Sequence, residues 1–193
     1  DTTWSRGLGD VYKRQTVVGA DNWYDIENQT VNYFRQASVE DTIPVRNVRS
    51  VGNNYTVFAT ETFIDEVSQE IGVDPMAFRL NYLNGVGINA GSNTPASYGG
   101  GKRLANVLKI ASGLANYGLE NLGEYEGLGI AITGAENRWA PCFLALVAKV
   151  KVDKNSAAID VQKLICVLDV GIAINPDGIK AVSYTHLTLP TNL

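Results

Sequence analysis

The sequence predicts an α+β fold in which helices come first and an antiparallel β-hairpin or small sheet follows. Three observations carry that expectation. Apolar side chains recur at helical spacing over residues 54–71 and again over 104–115. Beyond residue 126 the period falls to two, with Leu144, Leu146, Ala148, Val150 and Val152 set against Lys149 and Lys151. Helical and strand-like stretches are therefore segregated along the chain instead of alternating as βαβ units.

Taken in order, Val31, Tyr33 and Arg35 alternate with Asn32 and Phe34, which predicts a short strand. Pro44 marks an extended stretch that runs through Val45 to Gly52. Over 54–71, Ala59, Phe63, Val67 and Ile71 recur every four residues and Ile64 widens the stripe. That spacing predicts an amphipathic helix with Glu61, Asp65, Glu66 and Glu70 facing water. Gly72 stands where a helix C-cap should. Asp74 and Pro75 open a second helix, Asp as a cap for free amides and Pro at the first helical position. Its buried side is Met76, Leu80 and Leu83.

Residues 85–101 are rich in Gly, Asn and Ser and read as a loop. Leu104, Val107, Leu108, Ala111, Leu114 and Ala115 predict a third helix, closed at Gly118 and followed by a solvated acidic loop over 120–126. Residues 127–132 form a short apolar strand. Residues 143–152 then pair with 158–168 across a turn-rich stretch at 153–156. The Leu144 side of this hairpin is expected to face the core and the lysine side water. No internal repeat is present.

Composition narrows the function classes. The 193 residues are 45% apolar and 19% charged, enough for a sizeable core and too few charges for a disordered chain. Apolar runs are a handful of residues long, so the segment holds no membrane span. A net charge of -4 argues against nucleic acid as a partner, because phosphate contacts need clustered Lys and Arg. Two Cys and one His cannot build a zinc site or a disulfide framework.

The two ends read as foreign to the protein. Residues 5–15, SRGLGDVYKRQ, back-translate to the transposase adapter used for short-read sequencing libraries, and residues 1–4 fit its flanking primer and index. Residues 182–191, VSYTHLTLPT, back-translate to the reverse complement of the partner adapter, with Asn192 and Leu193 in its index. The expectation is that residues 1–15 and 182–193 are adapter-derived and that 16–181 are an interior protein fragment, Ala181 straddling the junction. Without Arg6, Lys13, Arg14, Asp1 and Asp10, the remainder holds 13 basic and 18 acidic residues, a net charge of -5. The lone His186 also falls outside it.

Candidate chemistry is sparse. Gly99, Gly100, Gly101 and Lys102 before a helix suggest a phosphate loop, but Ala96 and Arg103 occupy positions where the motif needs Gly and Ser or Thr. Asp65 and Glu66 could act as an acid–base pair, yet adjacent helical residues diverge and a solvated face is the simpler reading. Cys142 and Cys166 read as small buried hydrophobes. Arg49, Ser50, Val51 and Gly52 form a short loop directly before a helix start. Backbone amides there can meet an anionic or carbonyl-bearing ligand.

Tyr24-Asp25-Ile26, Pro44-Val45, Arg49-Ser50-Val51-Gly52-Asn53 and Phe63-Ile64-Asp65-Glu66 follow one another in a distinctive order. After them come Asp74-Pro75, Phe78-Arg79, Gly127-Leu128-Gly129-Ile130-Ala131, Val147-Ala148-Lys149-Val150, Asp169-Val170-Gly171 and Asn175-Pro176. In this order and spacing the chain resembles the molybdopterin-binding large subunit of the molybdenum hydroxylases. This is the xanthine dehydrogenase and aldehyde oxidase family, and the nearest branch is the isoquinoline 1-oxidoreductase-like one.

The resemblance implies a partial molybdopterin-binding domain of an oxidoreductase that hydroxylates an aldehyde or N-heterocycle carbon with water-derived oxygen. It implies a molybdenum–molybdopterin cofactor in the full-length protein, a small-molecule substrate, and a 2Fe-2S centre on a partner iron–sulfur subunit or domain. Arg49, Ser50, Val51 and Gly52 match the family's Arg-x-x-Gly pterin loop, where many relatives carry Arg-Gly-Phe-Gly. Asp169, Val170 and Gly171 match an architectural turn at a strand end. The family's catalytic Glu falls beyond residue 181, so no catalytic and no metal-ligating residue is assigned, and the fragment alone is expected to be inactive. The alternative is a non-catalytic scaffold or accessory relative that keeps the fold without the cofactor. Compartment is not specified by any of these features.

Overall fold

The computed structural model describes residues 19–20, 22–32, 50, 52–84, 100–137 and 140–187. The described elements are helices α1 (Asn53–Glu70), α2 (Pro75–Asn81) and α3 (Gly100–Leu114), strands β1 (Glu126–Asn137), β2 (Ala140–Val152) and β3 (Ile159–Asp169), and helix α4 (Pro176–Leu187). The α+β class expected from periodicity holds. The strands form an antiparallel sheet in the order β1-β2-β3.

Helix boundaries follow the capping signals. Gly72 takes a φ of 69°, the left-handed conformation that a Cβ disfavours, and the Val73 N–H closes the end of α1 by donating to the Ser68 carbonyl at 2.9 Å. The Asp74 carboxylate accepts from the Ala77 N–H at 2.9 Å, with Pro75 at the first position of α2. Helix α3 begins at Gly100, taking the last two residues of the predicted loop, and buries Leu104, Val107, Leu108 and Ala111. Leu114, assigned to that face, is instead exposed. Of the strand predicted around Val31, that residue and Asn32 lie in irregular chain, and Tyr33 and Arg35 lie outside the described residues. So do residues 85–99.

Two faces differ from expectation. In α1 the buried residues are Glu61, Ile64 and Ser68, whereas Phe63 is 63% exposed and Ala59 and Ile71 are exposed as well. The helix is rotated because a buried cation from α2 meets it, as described below. In β2, Phe143, Ala145 and Val147 are the buried residues, on the same side as Lys149, while Leu144, Leu146, Ala148 and Val150 are only half-buried. Helix α3 packs on the Phe143 side because Leu104, Val107, Leu108 and Ala111 present a continuous apolar stripe to it. Lys149, at the end of that side, pairs with Glu120 at 2.7 Å and Glu126 at 3.2 Å.

The hairpin register sets Phe143 opposite Asp169 and Val152 opposite Ile159, with an irregularity between Lys149 and Val150. Its turn is held by Asp153, whose Oδ1 accepts from the Asn155 N–H, the Ser156 N–H and the Ser156 hydroxyl. These bonds, led by the Ser156 amide, hold the Asp153 carboxyl below its usual range. Helix α4 was not anticipated. Its signal was present, since Asn175 and Pro176 repeat the Asp74–Pro75 arrangement and the Asn175 side chain accepts from the Gly178 N–H at 2.9 Å.

Asp169 ends β3 as an architectural residue. Arg103 of α3 donates Nε to Oδ2 at 2.7 Å and Nη2 to Oδ1 at 2.5 Å, and the Gly171 N–H, at a φ of 70°, donates to Oδ1 at 3.0 Å. The Arg103 hydrogen bonds hold the Asp169 carboxyl below its usual range. A depressed folded-state pKa stabilises the fold above the unfolded value of about 3.9 and ceases to do so as pH falls through the lower folded value. Asp169→Asn is therefore expected to destabilise the chain at neutral pH, with a difference from the parent that shrinks in increasingly acidic buffer. Urea titrations across that range check this, and a pH-independent difference would refute it.

Candidate functional site

The predicted cofactor loop leads directly into α1. Arg49 and Val51 lie outside the described residues, whereas Ser50 and Gly52 are placed. Ser50 is exposed and takes a φ of 71°, a left-handed conformation uncommon for a residue with a Cβ. Its carbonyl accepts from the Asn53 N–H at 3.0 Å, which folds the loop back onto the helix start. Gly52 is buried, and its carbonyl accepts from the Thr56 N–H at 3.1 Å and the Thr56 hydroxyl at 2.8 Å. The loop thus presents Ser50 to solvent at the head of a helix anchored through Gly52. Strained exposed residues of this kind concentrate at ligand contacts. Gly19, at a φ of 86°, closes over the first turn, where a Cβ would collide with the Asn53 side chain.

Behind the loop lies a buried ionic cluster that joins four segments. Arg79 of α2 is fully buried. It donates Nε to Glu61 Oε2 at 3.0 Å, Nη2 to the Glu61 carbonyl at 3.2 Å, and Nη1 to Asp65 Oδ1 at 2.6 Å and to the Pro75 carbonyl at 3.2 Å. Glu61, 6% exposed, also accepts from the Tyr24 hydroxyl at 2.8 Å and from the Ile132 N–H at 2.9 Å. Each buried charge is therefore paired and hydrogen-bonded.

Burial drives the Glu61 carboxyl above its ordinary range, and Arg79, the Ile132 amide and the Tyr24 hydroxyl oppose that rise. Burial, then the Glu61 charge, lifts the Tyr24 phenol far above its usual value. Burial disfavours the Arg79 cation, but Glu61, Tyr24 and Asp65 raise its pKa above the ordinary value and keep it charged. Through these bonds the groups act as a clasp that sets the position of α1.

The clasp also closes the free edge of β1. The Ile132 N–H and the Gly134 carbonyl point away from β2. They are taken by Glu61 and by the Trp23 indole, which donates to Gly134 at 3.0 Å. A cavity of about 20 Å³, room for roughly one water, lies between Trp23, Tyr24, Thr60, Glu61, Leu104 and Gly134.

The other sequence candidates do not converge. Asp65 is committed to Arg79, and Glu66 is exposed on a different side of α1. Gly100 and Gly101 are buried in the first turn of α3, and Gly99 lies outside the described residues. Cys142 and Cys166 are half-buried free thiols on neighbouring strands, and burial raises both pKa values. Among the described residues no group of His, Cys, Asp and Glu could hold a metal ion. The roles of Glu61 and Arg79 escaped the sequence reading. The only signal was a basic residue inside an otherwise apolar α2 face, adjacent to buried Phe78.

A family model described as a molybdopterin cofactor-binding domain matches residues 1–83, a span holding the 49–52 loop, Tyr24, Glu61 and Arg79. That span also takes in residues 1–15, read above as adapter-derived. The chain is 34% identical over 173 residues to a membrane-bound aldehyde dehydrogenase (pyrroloquinoline-quinone) of Gluconacetobacter polyoxogenes, 90% of this chain and 22% of that protein. It is 24% identical over 158 residues to the isoquinoline 1-oxidoreductase subunit beta of Brevundimonas diminuta, 82% of this chain and 18% of that protein. The chain thus spans about a fifth of the length of these curated relatives. No described helix is long and apolar enough to cross a membrane. Residues 1–83 are thus similar to a molybdopterin cofactor-binding domain, and most of the chain is similar to a part of each of these two relatives.

Proposed function

We propose that residues 16–181 are part of the molybdopterin-binding subunit of a molybdenum hydroxylase, and that Arg49, Ser50, Val51 and Gly52 line the cofactor. The observation that carries this reading is the exposed left-handed Ser50 beside buried Gly52, inside the matched molybdopterin-binding span. The donor set fits an uncharged polar heterocycle: a backbone turn and a serine hydroxyl, with an arginine one position earlier for a phosphate. When bound, the molybdenum–molybdopterin group supplies the oxidative hydroxylation of an aldehyde or N-heterocycle carbon, and a 2Fe-2S partner takes the electrons.

This chain's own residues orient that group. Gly52 allows close backbone approach, Ser50 offers its hydroxyl and main chain, and the Glu61–Arg79 clasp fixes the helix from which the loop projects. The test is the subunit encoded at the source locus, recovered without adapter-mediated library preparation. Stoichiometric molybdenum and pterin are expected. Arg49→Glu should lower pterin occupancy about tenfold with an unchanged melting temperature. Unchanged occupancy would remove the loop from the site. The name of the Gluconacetobacter relative supports a second reading, a quinone cofactor. Bound quinone without molybdenum would favour it, and absence of both would favour a scaffold that has lost the cofactor.

A further inference from the structure

The sheet has two apolar faces, and the described helices cover only one. Phe143, Ala145, Val147, Ile130 and Ile132 belong to the core, with Ile165 and Val167 packed against it beneath α3. The register assigns the opposite face to Leu144 beside Leu168, Leu146 beside Cys166, and Ala148 beside Leu164. All six are half-buried and none belongs to the core or packs against it, whereas α3, the helix packed closely on β2 and β3, serves the Phe143 side. Along this stretch Phe143–Ala148 of β2 and Leu164–Leu168 of β3 are continuously apolar, the pattern of strands buried on both sides. Charges return only towards the 149–163 end, where Lys149, Lys151, Asp160 and Lys163 stand.

We propose that this second face is a permanent interface, covered by a further apolar layer of the same, longer polypeptide. The inference rests on the reading of the chain as part of a larger subunit. The occupant follows from two observations. The face carries no charged or strongly polar side chain among those six. Such composition characterises obligate, core-like contacts, whereas transient interfaces are about as polar as ordinary surface. Four-fifths of each curated relative lies outside the matched region, ample chain to supply the layer. An apolar face without such a layer is otherwise an aggregation hazard.

The test uses Leu146→Lys and Leu164→Lys in both the 193-residue chain and the intact product of the source locus. In the 193-residue chain the parent should bind the dye ANS and associate without a fixed stoichiometry. Each variant should lower ANS fluorescence at least about threefold with an unchanged far-UV spectrum. The intact product should bind no ANS, and the same substitutions should sharply lower its soluble yield, while Lys151→Glu leaves yield unchanged.

A parent 193-residue chain that is monomeric and blind to ANS would overturn the proposal, because its own residues would then cover the face. A discrete dimer broken by Leu146→Lys would assign the face to a second copy. ANS binding by the intact product, lost in the variants, would assign it to a separate partner. If the locus encodes nothing beyond the 193 residues, the subunit reading fails as well, which a simple length determination reveals independently of the dye.

Discussion

Arg79→Ala is expected to destabilise the chain by about 3–5 kcal/mol, a large part of the stability of an ordinary domain. The substitution removes the cation that compensates the buried Glu61, and it breaks the bonds to Asp65 and to two carbonyls. Glu61 must then either ionise without a partner or take up a proton, and both states cost free energy in a low-dielectric site. Arg79→Lys keeps the charge but cannot span Glu61 and Asp65 with a planar fork, so it should lose much of the same stability.

The double variant Glu61→Leu, Arg79→Met should be milder than Arg79→Ala, because it deletes both charges together. Its residual penalty comes from the Tyr24 hydroxyl and the Ile132 amide, each left without its acceptor. Urea unfolding of the three variants measures the order. A double variant less stable than Arg79→Ala would show that the clasp is not dominated by the pairing of its charges.

Phe143→Ala should cost about 3–5 kcal/mol as well, by a different route. Phe143 is fully buried near the start of the central strand. It meets the Trp23 ring edge-on at 5.2 Å between centroids, and the Arg103 guanidinium stacks 4.6 Å from its own centroid. Truncation opens a cavity beneath α3 and releases Trp23 at the same time, so tryptophan emission should shift to the red in the folded variant. Phe143→Leu, which keeps most of the volume, should lose clearly less. Equal losses for alanine and leucine would point to the aromatic contacts, and not the volume, as the decisive term.

Much of this architecture was legible in the residues, and the exceptions have physical causes. Periodicity located α1, α3 and the β2–β3 hairpin because apolar spacing reports the local backbone period directly. Capping chemistry placed the end of α1 at Gly72 and the start of α2 at Asp74 and Pro75. The facing of α1 was not legible. Glu61 becomes an interior residue because Arg79 arrives from 18 positions further on, a pairing no helical repeat can announce.

The facing of β2 was hidden for the opposite reason, since both of its sides are apolar near Phe143 and alternation offers no choice between them. Of the proposed site, the loop before α1 drew notice through its Arg, its Gly and its position at a helix start. The clasp that steadies it was invisible because its members come from four separate segments.

The clasp at the β1 edge also orders the route to the native state. The β1–β2 and β2–β3 pairings join neighbours in sequence, whereas Glu61 reaches Ile132 across 71 positions and Trp23 reaches Gly134 across 111. Closing such long loops carries a larger entropic penalty than zipping a hairpin. The three-stranded meander is therefore expected to assemble ahead of the N-terminal segment, which would dock last and latch the strand already in place. Bonds formed after the rate-limiting step leave the folding rate nearly untouched and govern how fast the molecule comes apart. Trp23 and Glu61 are thus the chain's brake on unfolding.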